Sequence, residues 1–182
     1  IIEYRKEYFK SLKNFSKEIY SNISQNREIF DLEYKSSLGN IEKLNKEETK
    51  QVFEKKINKN IEKEIFKGIT LYGPHRDDLI IRIDKKECRS FGSQGQQRTA
   101  ALSLKLAEIE IIKNEINEYP VLLLDDVLSE LDNNRKKYLL SYITKLQTII
   151  TSTNDRDLKE LIEEKNKKVF FIKDGKIANI KE

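Results

Sequence analysis

The strongest constraint on this chain is the run Val121-Leu122-Leu123-Leu124-Asp125-Asp126. Four large apolar residues in succession suit a short strand buried on both faces, as in a parallel sheet covered by helices. Two carboxylates follow at once. An unpaired buried charge is costly, so the acids belong at the strand's carboxyl end, facing water or a cation. That edge is where open α/β sheets bind ligands. Asp125 therefore reads as a Mg²⁺ ligand, direct or through water, and Asp126 as the carboxylate that orients an attacking water. The plainer alternative is an acidic turn closing a core strand. Just beyond, Ser129 and Asp132 have capping-box spacing, although the usual partner is Glu or Gln. Asp132 could equally cap a helix over Asn133–Ile143. Capping accounts for Ser129 and Asp132 but leaves the acid pair unexplained.

A second stretch bears on the first. Phe91-Gly92-Ser93-Gln94-Gly95-Gln96-Gln97-Arg98 leads directly into Thr99-Ala100-Ala101-Leu102, a strong helix. A Gly-bearing loop at a helix N-terminus presents backbone N–H groups and the positive dipole end, which suits an anion. Gly95 lets the backbone approach a phosphate closely, and Ser93 offers a hydroxyl. Alone, such a loop is weak evidence. Set about 25 residues before a strand ending in paired acids, it is much stronger.

These residues carry a resemblance. Ser93-Gln94-Gly95-Gln96 resembles the signature motif of ABC-type ATPases. Residues 121–126 are similar to their Walker B strand, and Ser129, Glu130 and Asp132 to their D-loop. The wider wording of residues 91–110 and 122–132, with Gly73-Pro74-His75-Arg76-Asp77-Asp78, closely resembles the RecF family of bacterial recombination-mediator ATPases. The resemblance covers most of residues 69–153; residues 1–68 are similar to the RecF lid only in pattern.

The fold class this implies is α/β: the C-terminal half of an ABC-type P-loop ATPase head over residues 69–182, with a small α+β lid over 1–68. It implies ATP and Mg²⁺ as cofactors and an ATP-bound homodimer in which the signature loop of one copy completes the site of the other. Ser93, Gln94, Gly95 and Gln96 would then meet the nucleotide in trans, Asp125 would hold Mg²⁺, and Asp126 would align water. Asp132 would lie near the dimer interface. ABC enzymes usually carry Glu where Asp126 stands; the shorter side chain implies slow hydrolysis. They also often place a His after the next strand, where this sequence has Thr151-Ser152-Thr153. The partners implied are double-stranded or gapped DNA and RecR, with RecO and RecA in the same pathway.

Composition sets the remaining bounds. The 182 residues suffice for one ordinary domain or two small ones. Charged residues make up 36% and mean hydropathy is −0.68. No apolar run approaches the roughly 18 residues of a spanning helix, and no secretory signal is visible. Cys88 is the single cysteine, which excludes an internal disulfide and fits a reducing cytoplasm. The chain holds no Met and begins Ile1-Ile2, as expected of an excised piece. No G-x-x-x-x-G-K-[ST] loop is present: the Gly-Lys pair is Gly175-Lys176, followed by Ile177. In RecF-like proteins that loop lies in the N-terminal part. Net charge is +4, and residues 1–70 hold 15 Lys and Arg against 12 Asp and Glu. That bias is too mild to argue for nucleic acid by itself.

Taken in order, residues 2–22 read as an amphipathic helix with Tyr8, Leu12, Phe15 and Ile19 on one face. Lys6, Lys10, Lys13 and Lys17 line another, either a solvated face or a phosphate-backbone contact. Tyr4, Tyr8 and Phe9 are expected in the core rather than as base-stacking platforms. Residues 29–35 alternate like a half-buried strand, and Gly39-Asn40 marks a turn. A helix over about 46–67 carries an apolar edge of Phe53, Ile57, Ile61 and Ile65, with Gly68 as its C-cap. Strands are expected over 69–72 and 79–83, flanking a turn at residues 73–78 whose Arg76 is a candidate contact to nucleotide or DNA. The helix after the signature loop is apolar on two sides and should lie between layers. A buried strand is expected at 148–153 and a short helix at 155–164. Asp174-Gly175 between Val169–Lys173 and residues 176–180 signals a type I′ hairpin. Two other readings remain open: a non-catalytic DNA- or protein-interaction fragment, and a head fragment of another SMC- or ABC-type ATPase. A transporter head predicts a Leu-Ser-Gly-Gly-Gln signature and a His switch, and the sequence has neither.

Overall fold

Helix α1 spans Ile2–Ser24 and turns out at Gln25 in the left-handed conformation. The computed structural model describes residues 1–153 and 168–181. Contacts divide the chain into two compact units, Ile1–Glu118 and Tyr119–Glu182.

In the first unit, strand β1 (Phe30–Lys35) alternates as its sequence demands, with Phe30 and Leu32 buried and Glu33 and Lys35 exposed. The Tyr20 ring of α1 stacks on Phe30 at 4.8 Å between centroids. Helix α2 (Lys46–Lys67) has both ends written locally. Asn45 and Glu48 form a reciprocal capping box, and Gly68 closes the helix with φ 64°. A 3₁₀ turn at Pro74–Arg76 leads into β2 (Asp78–Ile83), antiparallel to β1 with Phe30 opposite Ile83 and Lys35 opposite Asp78. A two-residue strand, β3 (Lys86–Glu87), follows through Asp84 and Lys85, both at positive φ. Helix α3 is one turn, Cys88–Phe91. Helix α4 (Gln94–Ile116) packs along α1. It buries Leu102, Leu106 and Ile109 on one side and Ala107 and Ile111 on the other, as expected of a helix apolar on two sides.

Several expectations are corrected. Residues 69–72 form no strand. Side chains capture backbone groups there instead: Glu64 accepts from the Leu71 N–H at 2.7 Å and Arg76 Nε donates to the Thr70 carbonyl at 2.8 Å. The apolar edge of α2 is covered over only part of its length: Phe53 and Ile57 are half-buried, Ile61 and Ile65 are exposed, and the neighbouring Phe66 is 91% exposed. Periodicity gives a helix its face but not a partner for it. Tyr4 is 79% and Tyr8 40% exposed rather than core, and Phe9 is half-buried. Cys88 is buried at the start of α3.

In the second unit, β4 (Leu122–Asp125) pairs in parallel with β5 (Thr148–Thr151), Leu122 opposite Thr148 and Asp125 opposite Thr151. Helix α5 (Asn133–Ile143) lies between them in sequence, so the three form a βαβ crossover. Among the described residues of this unit, those buried are Leu124, Leu128, Leu131, Leu139 and Ile143. Burial on both faces does not hold for β4 and β5: Leu123 is 69% exposed, and Ile149, its register partner, is also exposed. Strands β6 (Val169–Lys173) and β7 (Lys176–Lys181) form the expected hairpin, with Asp174 and Gly175 both at positive φ. The helix expected over 155–164 falls outside the described residues. Among the described residues, no helix is long and apolar enough to cross a membrane.

The first compact unit continues past residue 68 because α4 packs on α1.

Candidate functional site

The acidic end of β4 is organised by one hydroxyl. Thr151 Oγ1 donates to Asp125 Oδ1 and accepts from the Asp126 N–H at 3.2 Å. The same N–H reaches the Thr151 carbonyl at 3.2 Å. Asp126 leaves the strand at φ 49°, a left-handed conformation that Asp tolerates better than most residues. This turn ends the strand just after Asp125 and leaves both acids exposed. Exposed carboxylates at a strand end suit a hard cation such as Mg²⁺, which takes oxygen ligands and keeps several waters. Asp125 could be such a ligand, and its hydroxyl partner fixes one oxygen's direction.

The residues after the acids have structural duties. Ser129 Oγ donates to the Asp126 carbonyl at 2.8 Å and so braces the turn. Asp132 caps α5, accepting from the Asn134 and Arg135 N–H groups at 3.0 Å, and forms an ion pair with the Arg135 guanidinium. Of the two capping readings, Asp132 over α5 is the one found. Glu130 lies in the 3₁₀ turn Val127–Glu130.

The signature stretch is the N-terminal cap of α4. Ser93 Oγ accepts from the Gln96 N–H at 3.2 Å, and Gln96 Oε1 accepts from the Ser93 N–H at 2.8 Å. Accepting at Oγ leaves the Ser93 hydroxyl proton able to donate outward. Ser93 and Gln94 are exposed; Gly95 and Gln96 are half-buried. Gln96 Nε2 also donates to Glu28 Oε1 at 2.8 Å, and Tyr20 donates its hydroxyl to the other Glu28 oxygen at 2.5 Å. Burial, then the Glu28 charge, pushes the Cys88 thiol up from its ordinary value.

Residues 73–78 are a stapled turn. Asp77 accepts from the Tyr34 hydroxyl, the Ser37 N–H at 2.7 Å and Ser36 Oγ at 3.3 Å. Burial pulls the Asp77 carboxyl upward, but these hydrogen bonds outweigh it and hold the group below the usual aspartate range. Tyr34 is pushed up to about 12 by burial and by the Asp77 hydrogen bond and charge, against Arg5. Arg76 Nε donates to the Thr70 carbonyl at 2.8 Å, and Arg5 donates to the Pro74 carbonyl. Arg76 thus ties its own loop together.

The lysine row divides. Lys6 is buried, its ammonium donating to the Leu44 carbonyl and to Glu3. Lys13 pairs with Asp31 at 2.8 Å. Lys10 and Lys17 are exposed. Sequence reasoning did not find Glu28, Tyr20 or the Thr151 link to Asp125. The Ser93–Gln96 capping box was readable from its spacing; Glu28 lies 68 residues from Gln96, and no local pattern announces that pairing.

Comparison with known proteins adds what geometry cannot. No family model matches the chain. It is 48% identical over 180 residues to the DNA replication and repair protein RecF of Clostridium kluyveri, covering 99% of this chain and 48% of the relative. It is 45% identical over 174 residues to RecF of Staphylococcus carnosus, covering 95% and 47%. A solved structure of the recombination mediator protein RecF-ATPrS in the RecFOR pathway superposes with a TM-score of 0.81 at 39% identity, over 96% of this chain and 45% of that one. A RecF-ATP structure from the same pathway gives 0.77 at 40% identity, over 87% and 43%. The chain spans about half the length of the relatives it matches. Its mixed α/β fold matches that of RecF, an ABC-type ATPase, and nearly all of its residues align with about half of the RecF length.

Proposed function

We propose that this chain supplies the acid strand and the signature loop of a RecF ATPase head, and acts within an ATP-dependent DNA-binding protein of recombinational repair and replication in the cytoplasm. The observation that supports this most is the 48% identity to RecF across 99% of the chain, which includes both motifs. In this reading the phosphate cradle comes from the other half of the RecF length. Asp125 is a ligand of Mg²⁺, which when bound offsets the phosphate charge. Asp126 accepts a hydrogen bond from water and orients it. Ser93 donates its hydroxyl to the nucleotide of a second copy, with Gln94, Gly95 and Gln96 around it, and Ser129, Glu130 and Asp132 lie near that second copy. ATP thereby joins two copies around double-stranded or gapped DNA, and slow hydrolysis releases them. Exposed Lys10 and Lys17 fit backbone phosphate better than the engaged Lys6 and Lys13, and Arg76 is a weaker candidate. RecR, with RecO and RecA in the pathway, are the protein partners.

The test uses this chain joined to the other half of a RecF. Asp126→Asn should lower ATP turnover on the order of 100-fold while nucleotide still binds. Ser93→Arg should abolish ATP-dependent dimerisation, read by light scattering. Unchanged turnover in the first variant and unchanged dimerisation in the second would refute the assigned roles.

A further inference from the structure

We infer that Glu28 is a positioning residue for the signature loop and that Gln96 is the relay between them, an inference that rests on the reading that Ser93 meets the nucleotide of a second copy. The relay starts in the core. Tyr20 is fully buried and stacked on Phe30, so its hydroxyl has a fixed position. That hydroxyl donates to Glu28 Oε2 at 2.5 Å. The other Glu28 oxygen accepts from Gln96 Nε2 at 2.8 Å, and Gln96 Oε1 accepts from the Ser93 N–H at 2.8 Å. The orientation of the Gln96 amide follows from chemistry: a carboxylate only accepts and a backbone N–H only donates. The result is an unbroken path from the α1 core to the residue that caps α4.

This path gives Gln96 a different job from its neighbours. Its amide oxygen and an amide N–H are both engaged within its own chain. Gln96 therefore acts on the loop, fixing the backbone at Ser93, while Ser93 keeps an outward-facing hydroxyl proton. Glu28 holds the Gln96 rotamer that makes this possible. A charge-assisted hydrogen bond at this point holds the loop in place before a nucleotide arrives.

A side-chain exchange tests it in the RecF-length protein. Gln96→Glu still offers an acceptor to the Ser93 N–H but sets a carboxylate against Glu28. It should raise the ATP concentration needed for half-maximal dimerisation on the order of tenfold, the worth of one such hydrogen bond. Adding Glu28→Gln restores a donor opposite the new carboxylate, and the double variant should return to the parent's ATP requirement. If the double variant stays as weak as Gln96→Glu alone, the added charge is acting on the phosphate directly and the relay is wrong. A Gln96→Glu variant that behaves like the parent overturns it as well. Ser93→Arg, run alongside, separates the two levels. If it blocks dimerisation while the exchange pattern fails, only the relay falls. If it has no effect, the trans contact falls and takes the relay with it.

Discussion

Thr151 carries more of the acidic end than its residue type suggests. One hydroxyl donates to Asp125 and accepts from the Asp126 N–H, so it fixes the Asp125 carboxylate and the Asp126 backbone. Thr151→Val keeps the shape and removes both bonds. In the RecF-length protein it should cut ATP turnover on the order of tenfold, with Thr151→Ser restoring most of it; equal rates for Val and Ser would exclude this role. The acids themselves were legible, because a four-residue apolar run ending in two carboxylates has few resting places. Thr151 was legible only as a His that is missing, since the contact spans 26 residues. Asp77 is a second case. Its folded carboxyl is held below the usual range, so its stabilisation is present above the unfolded value of about 3.9 and is lost as pH falls through the folded one. Asp77→Asn should lower stability at neutral pH, and the gap to the parent should narrow below about pH 4. Urea unfolding across that pH range measures it, and a pH-independent gap would mean the carboxylate charge contributes nothing.

Elements were read best where their ends are chemically self-contained. Helix α2 was expected over about 46–67 and spans Lys46–Lys67, because Asn45, Glu48 and Gly68 set its limits within a turn of each end. Which elements bury which faces was less legible. Helix α4 has Leu106 at 2% exposure, whereas α2 leaves Phe66 at 91%, though both are large apolar residues within helices. Leu106→Ala should cost about 2–5 kcal/mol. Phe66→Ala should stay within about 0.5 kcal/mol. Denaturant unfolding of the two variants side by side decides the point: similar losses would mean that α2 is covered in solution. The misread segment at 69–72 has the same origin. Its apolar residues suggested a strand, but Glu64 holds the Leu71 N–H and Arg76 the Thr70 carbonyl.

At the scale of the whole molecule, the decisive fact is what the 182 residues do not contain. The acid strand and the signature loop are present, but no G-x-x-x-x-G-K-[ST] loop is. Backbone N–H groups of such a loop, with its Lys, supply most of the charge-assisted contacts to a triphosphate. Asp125 and Asp126 cannot replace them, since carboxylates repel phosphate unless a cation intervenes. One hydroxyl and a helix N-terminus contribute only a few kcal/mol at most. The chain by itself should therefore bind ATP at least about 100-fold more weakly than when joined to the other half of a RecF, a difference of roughly 2.7 kcal/mol. Titration calorimetry with Mg²⁺ present measures both. Equal affinity for the two forms would mean that these residues hold a complete phosphate site of their own, and the division of labour proposed for this half of RecF would have to be abandoned.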